Sequence, residues 1–144
     1  MWRKFSLACA CAMAFTEVHG EPQVDAAAAV LEQCDEFSQA GFRECLQRKV
    51  RNSLKSLARA EARAAISVER WDEDEQYIAR ARSRLRTSKN AFVKYRDAQC
   101  AFATSLGGGA IGAALEMRRL ACVYGLNTER TVALKRLTET MPLE

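Results

Sequence analysis

Between Gly41 and Gly107 the chain runs for 65 residues without a glycine or a proline. These are the two residues that most readily interrupt a helix, glycine by its backbone freedom and proline by its missing N–H and its clash with the preceding turn. Only seven residues of the stretch are β-branched (Val50, Ile66, Val68, Ile78, Thr87, Val93 and Thr104), while Ala, Leu, Arg, Lys, Glu and Gln dominate. Helix propensity summed over so long a window is informative where a single residue is not. No segment shows the alternation of a half-buried strand, and the sequence has no internal repeat. The expected fold is all-α, a small antiparallel bundle of about five helices.

Apolar spacing divides the bundle. A short first helix is expected over about residues 24–37, starting near Asp25 with Ala28, Leu31 and Cys34 on one face. Residues 38–41 make a turn. A second helix begins near Phe42, sets Phe42, Leu46, Val50, Leu54, Leu57 and Ala58 on an apolar stripe, and ends near Ile66 or Val68. In the run Trp71, Asp72, Glu73, Asp74, Glu75, Asp72 can cap a third helix with Glu75 placed as in a capping box, and the acids suit its positive end. That helix spaces Tyr77, Ala81, Leu85, Ser88, Phe92, Tyr95, Gln99 and Phe102 by fours and threes, a coiled-coil-like seam. Gly107, Gly108 and Gly109 end it. A fourth helix is expected over about 110–124 with Gly125 as its C-terminal cap. A fifth starts at an Asn127 cap and carries Val132, Leu134 and Leu137 toward Pro142.

The first twenty residues set the expected compartment. Arg3 and Lys4 precede an uncharged apolar run over 5–15, and Val18 and Gly20 supply aliphatic or small residues before a cleavage point after Gly20. That is the pattern of a secretory signal peptide. Its eleven apolar residues are too few to cross a bilayer. A lipid anchor on Cys9 or Cys11 would want Leu three residues upstream, where Ser6 and Ala8 stand. Residues 1–20 therefore read as a signal peptide and 21–144 as one domain, periplasmic or secreted.

Cleavage removes Cys9, Cys11 and His19, the only histidine, and leaves 20 bases against 17 acids. A chain without imidazole builds no Ser-His-Asp or Cys-His centre and lacks the usual base near neutral pH. Cys34, Cys45, Cys100 and Cys122 remain, with 10, 54 and 21 residues between them, spacings that fit no zinc pattern. In an exported chain they imply two disulfides with three possible connectivities. The expected one joins neighbours, Cys34 with Cys45 and Cys100 with Cys122, each stapling two antiparallel helices and contributing roughly 3 kcal/mol through the unfolded chain. No catalytic residue, metal or cofactor is expected.

The segment Phe92-Val93-Lys94-Tyr95-Arg96-Asp97-Ala98-Gln99-Cys100, the glycine turn, and then Cys122 followed by Leu126, Arg130 and Leu134 resembles the bacterial LprI lysozyme inhibitor family in its N-terminal-type domain. That family's pattern looks like an aromatic, two residues, Tyr-Arg-Asp, two residues and Cys, then a later Cys with a downstream Thr and Arg. Cys34 and Cys45 match its four-cysteine layout, and the resemblance covers about 110 of the 144 residues. Phe92 stands where the family usually has Trp and Asn127 where it has Thr; each keeps the physical role, core filler and helix cap. The resemblance implies a binding protein whose partner is lysozyme or another cell-wall hydrolase. Its motif here is Phe92, Tyr95, Arg96, Asp97 and Arg130.

The motif reads two ways. Tyr95, Arg96, Asp97 and Arg130 could face a partner as a polar cluster. The favoured reading is internal: Tyr95 packs in the seam and Asp97 pairs with Arg130, bracing two helices. Gly107, Gly108 and Gly109 lack the following Gly-Lys-Ser/Thr of a phosphate loop, so they make a tight turn whose tip is the candidate contact loop.

Charge is uneven. Arg80, Arg82, Arg84, Arg86, Lys89, Lys94 and Arg96 fall within 17 residues that hold no acid. From Arg43 to Arg63 seven bases face two acids. These are solvated helix faces or a basic stripe for an anionic envelope surface, polymer or protein. Nucleic acid is not an expected partner, since no recognisable binding motif is present. A glycosidase pair among Asp72, Glu73, Asp74 and Glu75 would need one acid of raised pKa in a cleft, which four adjacent acids at a helix start do not make. Lysozymes are commonly basic, so an inhibitor with net positive charge must rely on a local element, the acids at 72–75 or a loop with backbone contacts. Two functions follow: an inhibitor of lysozyme or a related hydrolase, by resemblance, or a non-enzymatic envelope adaptor docking on an anionic surface through basic helices.

Overall fold

The computed structural model describes residues 25–35 and 38–143, beginning at Asp25. The expected signal peptide, its expected cleavage point, Cys9, Cys11 and His19 lie outside the described residues. The Asp25 carboxylate accepts from the Ala27 N–H at 2.9 Å and starts α1 (Ala26–Cys34). Ser38 does the same for α2 (Gln39–Glu69), its Oγ accepting from the Gly41 N–H at 3.4 Å. With that cap the helix begins a turn before Phe42 and takes in Gly41. Asp74, not Asp72, sits at the N-cap of α3 (Glu75–Ser105), and no side chain bonds the free N–H groups there. The acids at 72–75 therefore act on the helix end through charge alone.

The largest correction concerns the last helix. Residues 110–142 hold one helix, α4 (Gly112–Glu139), so the described residues form four helices instead of about five. Gly125 is a helical residue buried where α1 crosses α4. A Cβ there would come within 3.1 Å of the Ala27 Cβ and 3.2 Å of its backbone nitrogen. Its missing side chain lets two backbones approach; it ends nothing. Asn127 is wholly buried in mid-helix and caps nothing either.

Residue pairs fix the directions. Ser53 meets Asn127 and Arg43 meets Glu116, a nearly constant offset, so α2 and α4 run parallel. Cys100 meets Cys122 and Ser88 meets Arg130, so α3 runs antiparallel to α4. The most extensive packing joins α2 to α4, with α1 laid across the near end of both. Val30, Cys34, Cys45, Leu46, Leu120 and Ala121 form one core cluster, and Leu57, Ala60, Ala64 and Leu134 a second farther along. At the far end Trp71 and Leu143 form an isolated antiparallel bridge and the Asp72 N–H donates to the Pro142 carbonyl at 3.2 Å.

Each of two apolar stripes keeps part of the line the spacing predicts, Phe42, Leu46, Val50 and Leu57 on α2 and Ala81, Leu85 and Phe92 on α3, and departs from it elsewhere. On α2 the buried line runs through Leu46, Ser53, Leu57, Ala60, Ala64 and Val68, leaving Leu54 and Ala58 exposed. On α3 the inward line runs through Ile78, Ala81, Leu85, Phe92, Arg96 and Cys100, while Tyr77, Tyr95 and Phe102 face outward. The choice is set by disulfide and polar contacts: once Cys100 is tied to Cys122, Arg96 one turn earlier must face α4 and Tyr95 cannot. No helix among the described residues is long and apolar enough to cross a membrane.

Candidate functional site

Two disulfides staple the end of the bundle that holds α1 and the α3–α4 turn. Cys34 pairs with Cys45 and Cys100 with Cys122, with Cα atoms 5.7 and 5.6 Å apart. Between the staple and the far turn, the family-motif side chains build two polar links across α2, α3 and α4.

The first link centres on Asn127. Its Oδ1 accepts from the Arg96 Nη1 at 3.2 Å and its Nδ2 donates to the Ser53 Oγ at 3.0 Å. Ser53 in turn donates to the Val50 carbonyl at 2.8 Å. Arg96, buried along most of its length, also donates through Nε and Nη2 to Asp97, whose carboxylate is exposed. The second link centres on Glu61, largely buried on α2. Lys89 approaches it at 2.9 Å and the Arg130 Nε at 3.7 Å. At that distance the Arg130 contact is an ion pair and not a hydrogen bond, and the buried Nε has no acceptor. The Arg130 terminal nitrogens both donate to the Ser88 Oγ at 3.3 Å, and the guanidinium lies 4.7 Å from the centre of the Phe92 ring. A cation over an aromatic face in a partly desolvated site is worth about 1–2 kcal/mol.

This arrangement corrects one expectation. Asp97 pairs with its neighbour Arg96, and Arg130 pairs with Glu61, so no bridge joins Asp97 to Arg130. Tyr95 is 55% exposed and does not pack in the seam. Phe92, Arg96 and Arg130 are brought together; Tyr95 and Asp97 stand at the rim. Sequence reasoning did not find Ser53 or Glu61, placed Ser88 in the apolar seam where it instead accepts from Arg130, and misassigned Asn127. Ser53 carried a signal: it falls on the line of Leu46, Leu57 and Ala60, where a polar residue must find a partner.

The candidate contact loop is the tip of the α3–α4 hairpin. Gly108 adopts φ 55°, the left-handed conformation that favours glycine. A Cβ on Gly107 would collide with the Leu115 side chain, whereas Gly108 and Gly109 face open space. Leu106 and Ile111, on either side of the turn, are 64% and 71% exposed. From Ala98 to Leu115 there is no charged residue at all, although the whole chain carries a formal +4. Beside the tip runs an apolar groove of about 570 Å³ between α1 and the hairpin, lined by Ala28, Leu31, Phe42, Ala103 and Met117 among others.

Nothing among the described residues gathers three or more Cys, Asp, Glu or His side chains in a metal-binding group. What the molecule offers is a rigid surface. It is a disulfide-stapled, all-helical protein with a braced interior and an apolar tip. The family model described as "Lysozyme inhibitor LprI" matches residues 32–134, and the chain belongs to that family. No curated protein and no solved structure gave a significant match.

Proposed function

We propose that the chain is exported and acts by binding, inhibiting lysozyme or a related cell-wall hydrolase through the hairpin tip, without chemistry or cofactor of its own. The observation that carries this reading is the uncharged tip. A basic hydrolase repels a basic inhibitor, and residues 98–115 carry no base of their own, the nearest being Arg118, whose Nε lies 3.8 Å from where a Cβ on Gly107 would stand. Three features favour insertion into a cleft: a narrow glycine turn, apolar side chains on both shoulders, and a disulfide two to three turns behind them. A loop held in its bound shape loses little entropy on docking. Family membership supplies the class of partner. The buried links of Arg96, Asn127, Glu61 and Arg130 serve the scaffold in this reading.

The test is protection of a cell-wall suspension from lysis by several lysozymes, using the oxidised protein. Protection is expected at stoichiometric excess, and none at micromolar excess over every enzyme would overturn the proposal. Leu106→Ser with Ile111→Ser should weaken inhibition at least about tenfold, because two exposed apolar anchors lose about 1.5–3 kcal/mol each when they no longer bury. Helix content should stay unchanged.

A further inference from the structure

We propose a second surface, independent of the tip: the outer face of α3 docks on an anionic phospholipid bilayer. Tyr77 and Tyr95 are 18 residues apart, five turns at 3.6 residues per turn, so they lie on one line of the helix about 27 Å apart. Both rings are exposed. Arg80, Arg84 and Lys94 fall within about 100° of that line on one side of it, and Thr87, Ser88 and Ala91 fill the turns between.

These cations are free to meet an outside charge. Arg80 lies over the Tyr77 ring at 5.8 Å, and none of Arg80, Arg84 and Lys94 makes an ion pair among the described residues. The nearby acids are already taken, Glu61 by Lys89 and Arg130, and Asp97 by Arg96. The acids at 72–75 lie beyond the Tyr77 end, and no acid occurs from Gln76 to Arg96.

The rings decide between lipid and a soluble polyanion. A polyanion needs only the charges. A bilayer also offers a headgroup layer where tyrosine rests with its ring against apolar chains and its hydroxyl in water. Exposed rings at both ends of a row of cations fit a flat interface, and each base near an anionic leaflet strengthens binding about fivefold. No large aliphatic side chain stands on this face between the rings, so docking is shallow and reversible.

Co-sedimentation with phosphatidylglycerol-rich vesicles, and with phosphatidylcholine vesicles as the neutral comparison, tests this. The oxidised protein should bind the first and not the second, and lose binding as salt rises from about 0.05 to 0.5 M. Arg80→Gln, Arg84→Gln and Lys94→Gln together should weaken binding at least about thirtyfold with the helix signal intact, and Tyr77→Ser with Tyr95→Ser should weaken it severalfold. All variants carry the same N-terminal residues, so any contribution from that segment cancels. Equal binding to both vesicle types, or an unchanged triple variant, would overturn the proposal. Sensitivity to the cations without sensitivity to the rings would also overturn it, in favour of a soluble polyanion.

Discussion

Without its two bridges the protein should sit close to its unfolding midpoint at room temperature. The loops closed are 11 and 22 residues long, and each closure removes about 3 kcal/mol of entropy from the unfolded chain. Together that is about 6 kcal/mol, against a total of about 5–15 kcal/mol for a domain of ordinary stability. The effect should be uneven along the molecule. At nine residues α1 is too short to persist as an isolated helix, yet it contributes Val30 and Cys34, both wholly buried, to the first core cluster. Cys34→Ala with Cys45→Ala should therefore release α1, with early hydrogen exchange over residues 26–34 and the helices α2, α3 and α4 retained. Cys100→Ala with Cys122→Ala should instead loosen the hairpin behind the tip and, on the proposed function, weaken inhibition of lysozyme. Alanine variants are the cleaner probe, because all four cysteines except Cys122 are at most 5% exposed and a reductant reaches them only after partial opening. Thermal melts followed by circular dichroism should show the quadruple variant at least about 20 °C below the oxidised protein. A fall of under about 5 °C would mean that core packing holds the bundle without the bridges.

Long-range order in the sequence was easier to read than punctuation. The helical class followed from 65 residues without a breaker, and the cysteine spacing placed both staples across turns. Gly125 and Asn127 misled because local chemistry and tertiary packing use the same residues. A glycine followed closely by an asparagine reads as one helix ending and another starting. Here the glycine admits Ala27 against the α4 backbone, and the asparagine bonds to α2 and α3 instead of to its own helix end. Either use is invisible until the partner helix is in place. The predicted seam of α3 holds at Ala81, Leu85 and Phe92 and fails at Tyr77, Tyr95 and Phe102 for a related reason. Aromatic residues at helical spacing read as a core seam, but Tyr77, Tyr95 and Phe102 lie outside because Arg96 and Cys100 claim the inward line. The motif of Phe92, Arg96 and Arg130 was legible as a group, whereas its pairing with Glu61 and Ser88 depends on contacts more than 25 residues away or across two helices.

Asn127→Leu should cost about 3 kcal/mol, the largest loss expected from any single polar residue of the chain. The side chain is wholly buried and carries both hydrogen bonds that join the three long helices at this level. Leucine fills a similar volume, so the loss is not one of packing. It strands the Arg96 Nη1, whose guanidinium is mostly buried, and removes the donor to the Ser53 Oγ; a buried group left without its partner costs about 1–3 kcal/mol, with more when it is charged. Asn127→Asp should be milder, since a carboxylate still accepts from Arg96 and only the bond to Ser53 is lost. The discriminating measurement is a double-mutant cycle in denaturant with Ser53→Ala. If the asparagine truly ties α2 to α3, the double variant should be at least about 1 kcal/mol more stable than the sum of the two single losses predicts, because Ser53→Ala removes a group that Asn127→Leu would otherwise leave unpaired. Strict additivity would mean that Ser53 and Asn127 act separately, and the polar link would then reduce to the bond from Arg96 to Asn127, joining α3 to α4 without α2.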